Sequence, residues 1–145
     1  MVVEYNVRMG DPETEVVLPR IQSDIIDLFE GIVHKTLDEK VLEVTSQTAV
    51  TVVCVSGGYP GDYEKGKVIS GLSSAGVEDG RSLVFHAGTA FANGGREIVT
   101  AGGRVLAVTS LGASIPEAAA RSYETIGRIE YEGMYCRRDI GRDLL

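Results

Sequence analysis

The stretch Glu4-Tyr5-Asn6-Val7-Arg8-Met9-Gly10-Asp11-Pro12-Glu13 decides the reading of this chain, because it sets an alternating polar strand against a helix start. Val2, Val3, Tyr5 and Val7 are strong strand formers, and the spacing predicts a β-strand over Val2–Arg8. Side chains alternate faces along a strand, so Glu4, Asn6 and Arg8 would project from one side. A carboxylate and an amide oxygen spaced this way are hard ligands for a cation such as Mg²⁺. An arginine one step further along suits a carboxylate or a phosphate. The same alternation is also the ordinary pattern of a polar strand face at a surface. Asp11 as cap, Pro12 at the first helical position and Glu13 in the first turn then predict a helix start.

Two parts separate by pattern. In residues 1–40 the opening strand leads to a short helix from Pro12, which Pro19 should end or kink. A second helix follows, capped by Ser23 or Asp24, with Ile21, Ile25, Phe29, Ile32 and Val33 on one stripe and Asp24, Asp27 and Glu30 off it. Residues 41–145 are richer in strands and glycine. Val50–Val55 is an apolar run suited to a buried strand. Ser82–Phe91, Glu97–Thr100 and Arg104–Ser110 read as three further strands, and the Gly94-Gly95 and Gly102-Gly103 turns between them predict an antiparallel meander. Ser114-Ile115-Pro116-Glu117 is a capping box, and Gly127 is a stop for the helix that it opens. The predicted class is α+β.

Composition narrows the function. The formal charge of −7 would repel phosphates and argues against a nucleic-acid partner. No apolar run approaches membrane-spanning length, and no secretory signal precedes the first strand. The two cysteines, Cys54 and Cys136, have no repeated spacing and fit reduced thiols rather than a disulfide framework.

The string EYNVRMGDPETE (residues 4–15) resembles the metal-binding strand and following turn of the phosphoribosylamine–glycine ligase family, ATP-grasp enzymes of purine synthesis. SGGYPGDYEKGKVISGL, VFHAGT, TAGGRVLAVTSLG and EGMYCRRDIG resemble the C-terminal domain of that family, in the family's order. The resemblance implies that residues 1–40 end an ATP-grasp domain and that 41–145 form the ligase C-terminal domain. It also implies that the N-terminal domains of the same enzyme are missing partners. Expected of the whole enzyme are a cytoplasmic location, the substrates ATP, glycine and 5-phosphoribosylamine, and a Mg²⁺ or Mn²⁺ cofactor. Glu4 and Asn6 match the family's metal ligands, and Arg8 matches the catalytic arginine that steadies an anionic substrate or intermediate. Asp11 and Glu13 match the turn and are candidates to orient glycine's ammonium group, or are only cap and dipole partners.

Other motifs weigh less. Gly61-Asp62-Tyr63-Glu64-Lys65-Gly66-Lys67-Val68 nearly spells a phosphate loop, but Val68 stands where a hydroxyl should bind the metal, and Asp62 and Glu64 stand where a phosphate would sit. What remains is a glycine-rich loop, Ser56–Gly66, from which Tyr59 and Lys67 (or Asp62) are substrate-binding candidates. His86 reads as a hydrogen-bonded structural histidine, Arg104 as solvated, and Arg137, Arg138 and Asp139 as a surface ion-pair network. From a different class, a structural module or a lipoyl-like carrier would share the sheet-and-hairpin pattern. The glycine hairpin tips carry no lysine to modify.

Overall fold

The computed structural model describes residues 1–5, 7–73 and 80–144. Its centre is an antiparallel four-stranded sheet of order β2-β5-β1-β6, built from Ser82–His86 (β2), Arg104–Gly112 (β5), Thr48–Val55 (β1) and Tyr135–Cys136 (β6). In register, Thr48 faces Gly112, Val52 faces Val108 and Cys54 faces Leu106, with an irregularity before Val55. Strand alternation then splits the sheet into two faces. Val50, Val52, Cys54, Leu106 and Val108 are buried with Ala118, Ala119 and Ile126 of helix α3 (Ile115–Ile126) in one core cluster.

Helix α3 begins where its capping box predicts. Ser114 Oγ accepts from the Glu117 amide at 3.4 Å, and the Glu117 carboxylate accepts from the Ala113 amide at 2.8 Å. Gly127 closes it. The Ser122 hydroxyl donates to the Val50 carbonyl at 3.0 Å, so the helix is pinned to β1 by a buried polar bond as well as by packing.

The opposite face of the sheet receives the N-terminal segment. Helix α1 (Thr14–Val17) lies against β1 and β5, and a 3₁₀ turn at Leu18–Arg20 carries the Pro19 break. Helix α2 (Ile25–His34) is capped by Asp24, whose carboxylate accepts from the Ile26 amide at 2.8 Å. Ser23, the other cap candidate, instead joins Val41 and Glu43 through its hydroxyl. Phe29, Ile32 and Val33 on the α2 stripe are exposed.

Several expectations are corrected. Residues 1–5 and 7–10 carry no strand, and Val3 and Val7 are 90% and 91% exposed. A strand needs a neighbour for its N–H and C=O groups, and among the described residues none pairs with this segment. Asn6 lies outside the described residues. Asp11 does not cap α1 and Pro12 is not its first residue: the helix starts at Thr14, with Glu13 at the N-cap and no side-chain cap bond. The meander does not form either. Ser82–Phe91 breaks at Ala87-Gly88, and Thr89–Ala92 (β3) pairs only with Glu97–Thr100 (β4) in a separate hairpin. Strand β5 pairs with β2 and β1 instead. The class is α+β, a mixed helix and antiparallel-sheet fold.

Candidate functional site

The gap between the N-terminal segment and the second face of the sheet is a cleft of about 490 Å³. Asp11, Pro12 and Glu15 line it from one side, Val53 and Ala107 form apolar floor, and Tyr59, Gly88, Gly103 and Arg104 close the rest. Its volume is within the usual range of small-molecule sites.

Backbone packing shapes this cleft. A Cβ on Gly88 would lie 2.4 Å from the Arg104 carbonyl oxygen and 2.8 Å from the Gly102 Cα, so only glycine lets these two loops touch. A Cβ on Gly103 would lie 2.2 Å from the Tyr59 ring. That ring meets Tyr63 edge-on at 6.1 Å between centroids. The glycine-rich loop behind Tyr59 is itself tied to the turn before β5: the Ser56 amide donates to the Gly103 carbonyl at 2.8 Å, and the Ser56 hydroxyl to the Gly102 carbonyl at 2.9 Å.

Arg104 is the charged centre of the cleft. Its Nη1 lies 2.5 Å from Asp11 Oδ2, with the two side chains 45% and 57% exposed. The bond to Asp11, followed by the charges of Asp11, Tyr59 and Glu15, holds the guanidinium above its ordinary range. The position of Arg104 after a glycine turn predicts a solvated side chain, but it is paired with Asp11 and shares one cleft with Asp11 and Tyr59.

The remaining candidates lie elsewhere. Glu13 folds back so that its carboxylate accepts from the Gly10 amide at 2.6 Å. Lys67 sits between Glu64 at 2.7 Å and Glu132 at 2.9 Å, which together keep its ammonium above the usual value. His86 Nδ1 shares a hydrogen bond with Thr89 Oγ1 at 3.0 Å. Arg137 grips Asp139 with two bonds of 2.9 Å, and Arg138 lies over the Tyr123 ring. Glu4 and Arg8 are exposed. Among the described residues no group of three or more His, Cys, Asp or Glu is gathered to hold a metal. No helix among them is long and apolar enough to cross a membrane.

The chain is 46% identical over 140 residues to the phosphoribosylamine–glycine ligase of Vibrio cholerae, covering 97% of this chain and 32% of that protein. It is 49% identical over 144 residues to the ligase of the same name from Chlorobaculum tepidum, covering 99% of this chain and 33% of that one. The chain therefore spans about a third of the length of the curated relatives it matches. Among solved structures, the crystal structure of phosphoribosylamine–glycine ligase from Thermotoga maritima superimposes with a TM-score of 0.65 at 37% identity, over 95% of this chain and 32% of that one. Residues 49–143 match the family described as phosphoribosylglycinamide synthetase, C domain, which takes in β1 through β6 and α3. The chain belongs to that family.

Proposed function

We propose that this chain is the C-terminal part of an ATP-dependent, cytoplasmic ligase of purine biosynthesis. That enzyme joins glycine to 5-phosphoribosylamine and yields glycinamide ribonucleotide, ADP and phosphate. The observation that carries the reading is the identity of 46–49% to ligases of this name across nearly the whole chain. Residues 1–40 are taken as the end of the ATP-grasp domain and 41–145 as the C-terminal domain.

In this reading glycine's carboxylate oxygen attacks the γ-phosphorus of ATP, and ADP leaves. The amine of 5-phosphoribosylamine then attacks the glycyl carbonyl carbon, phosphate leaves with the bonding pair, and the amine gives up a proton. Such chemistry rests on positioning and on neutralising charge. No nucleophilic side chain is needed, because the activated group is carried on the substrate.

The donor set of the N-terminal segment fits Mg²⁺ or Mn²⁺. Glu4 offers a carboxylate oxygen and Asn6 an amide oxygen, both hard ligands, and exposed Glu4 is open to a nucleotide. Two protein ligands leave positions for water and nucleotide phosphates, as is usual for Mg²⁺. When bound, the ion would offset charge on the phosphates. Arg8 would steady the anionic substrate beside it.

A hybrid enzyme tests the proposal. The matching third of the Vibrio cholerae ligase is replaced by this chain, and ADP release is followed with glycine and 5-phosphoribosylamine varied. Release that depends on both substrates supports the reading, and a folded, soluble hybrid with none overturns it. The 145-residue chain alone is expected to show no ligase activity and to bind ATP more weakly than micromolar. Micromolar binding by calorimetry would count against its being one part of a larger site.

A further inference from the structure

The two cysteines of the chain, far apart in sequence, meet at the edge of the central sheet. Cys54 of β1 and Cys136 of β6 are direct partners in the antiparallel register, and their thiols share a hydrogen bond. Residues opposed in this way have Cα atoms about 4.5–5.5 Å apart, inside the span of about 4.4–6.8 Å that a disulfide bridges. Both belong to the core cluster, but they differ in access. Cys54 is fully buried on a strand with neighbours on both sides. Cys136 is 5% exposed and lines a cavity of about 230 Å³ with Val52, Tyr135 and Ile140. A molecule the size of water or hydrogen peroxide fits in that volume several times over. Cys136 also lies on a two-residue strand at the end of the sheet, and so short an edge opens locally more readily than the centre.

We propose that Cys54 and Cys136 are a reversible redox pair, in which Cys136 reacts with a small peroxide entering the cavity and Cys54 then closes a disulfide between β1 and β6. The Cys136 sulfur attacks one peroxide oxygen, the O–O bond breaks, and the departing hydroxide takes the thiol proton and leaves as water. Cys136 is then a sulfenic acid. The Cys54 sulfur attacks the Cys136 sulfur, the S–O bond breaks, and the Cys54 proton leaves with that oxygen as a second water. Two thiols are oxidised by two electrons and one peroxide is reduced to two waters. Burial, and then the neighbouring Cys136, keeps the Cys54 thiol protonated, which makes it the second sulfur to react and not the first. Direct contact across the register offsets its low thiolate fraction in the closing step. In a reducing compartment the pair rests as two thiols, and the bridge is a transient response to oxidant. This chemistry needs none of the ligase machinery.

The test treats the reduced, folded 145-residue chain with hydrogen peroxide, quenches it by alkylation in denaturant, and reads the intact mass and a peptide map. The expected product has lost two hydrogens, gained no oxygen and kept no thiol to alkylate. Its peptides around Cys54 and Cys136 are joined, and dithiothreitol restores both thiols. The oxidised chain should keep its core resonances and unfold at a urea midpoint higher by about 1 M or more. In Cys54→Ala the reaction should stop at the Cys136 sulfenic acid, trapped by dimedone as a single adduct. In Cys136→Ala the remaining thiol should react at least about tenfold more slowly than Cys136 does in Cys54→Ala. Thiols that survive peroxide in the folded chain would overturn the proposal, as would oxygen added without a bridge, a bridge between two chains, or a lowered urea midpoint. Equal rates in the two variants would overturn the order of reaction. The wild-type mass and peptide map decide the linkage even where a variant fails to fold.

Discussion

The Thr109 hydroxyl donates to the backbone carbonyl oxygen of Glu15 across 2.8 Å, tying the middle of the central strand to the first helix of the chain. Thr109 is 1% exposed, and its Oγ1 also lies 2.6 Å from Thr51 Oγ1. The bond therefore belongs to a small polar network inside an otherwise apolar sheet, and it sets the height of α1 over the cleft.

Thr109→Val keeps the shape and removes the hydroxyl, leaving the Glu15 carbonyl and the Thr51 hydroxyl short of a partner. The expected loss is about 1–3 kcal/mol, read from the midpoint of urea unfolding. Amide exchange in Thr14–Val17 should speed up with it. A variant of unchanged stability and exchange would mean that packing alone holds α1.

Gly103→Ala would drive a methyl group into the Tyr59 ring, since the added Cβ falls 2.2 Å from the ring edge. The ring is partly exposed and can swing away, so the chain should fold with a loss of about 1–3 kcal/mol. The mark of the change is local: the Tyr59 and Tyr63 ring resonances should separate from their wild-type positions while those of Leu106 and Val108 hold. Unshifted tyrosine signals would contradict the contact.

Glu4→Gln in the hybrid ligase removes a charge at nearly constant volume. Turnover should fall by at least about a hundredfold at limiting Mg²⁺, with unfolding unchanged. Near-normal turnover would return the Glu4-to-Arg8 segment to a polar surface with no metal role.

Burial, reinforced by the neighbouring Cys136, pushes the Cys54 thiol from an ordinary 9.0 up to about 12. Between those values the unfolded chain gives up a proton that the folded chain keeps. Stability is full below pH 9 and declines as the pH rises towards 12, by up to about 1.4 kcal/mol per pH unit. Tyr131, raised chiefly by burial, acts in the same direction. Urea midpoints at pH 8, 9.5 and 11 should fall in that order, and a flat series would show that the thiol ionises freely in the fold.

What the sequence made legible was local. Val50–Val55 announced itself by its apolar run, and α3 by Ser114 and Glu117, because propensity and capping act within a few residues. Pairing was not legible. Gly102-Gly103 signalled a turn, but not that β5 would leave β4 behind and insert between β2 and β1. Nor did the pattern around Val2–Arg8 reveal that no described part of the chain would pair with it. The cleft shows the same division. Asp11 and Tyr59 could be picked from their motifs, whereas Arg104 became a candidate only once folding had set it against an acid from the far end of the chain. Arg121 and Arg104 look alike on the page, yet one braces Glu117 on its own helix and the other faces a cavity.

The strand order β2-β5-β1-β6 also dictates a schedule. Strand β1 is made early, but even the nearest pair in its register, Val55 with Arg104, waits for the intervening loop and hairpin. Closing such a long loop must come before the pairing repays it, so this sheet is slow to nucleate. During synthesis the apolar strand β1 emerges from the ribosome with no described strand partner until β5 follows. Helix α1, whose anchor Thr109 lies in that same late strand, gains that anchor only once β5 has followed, although it precedes β1 in the sequence.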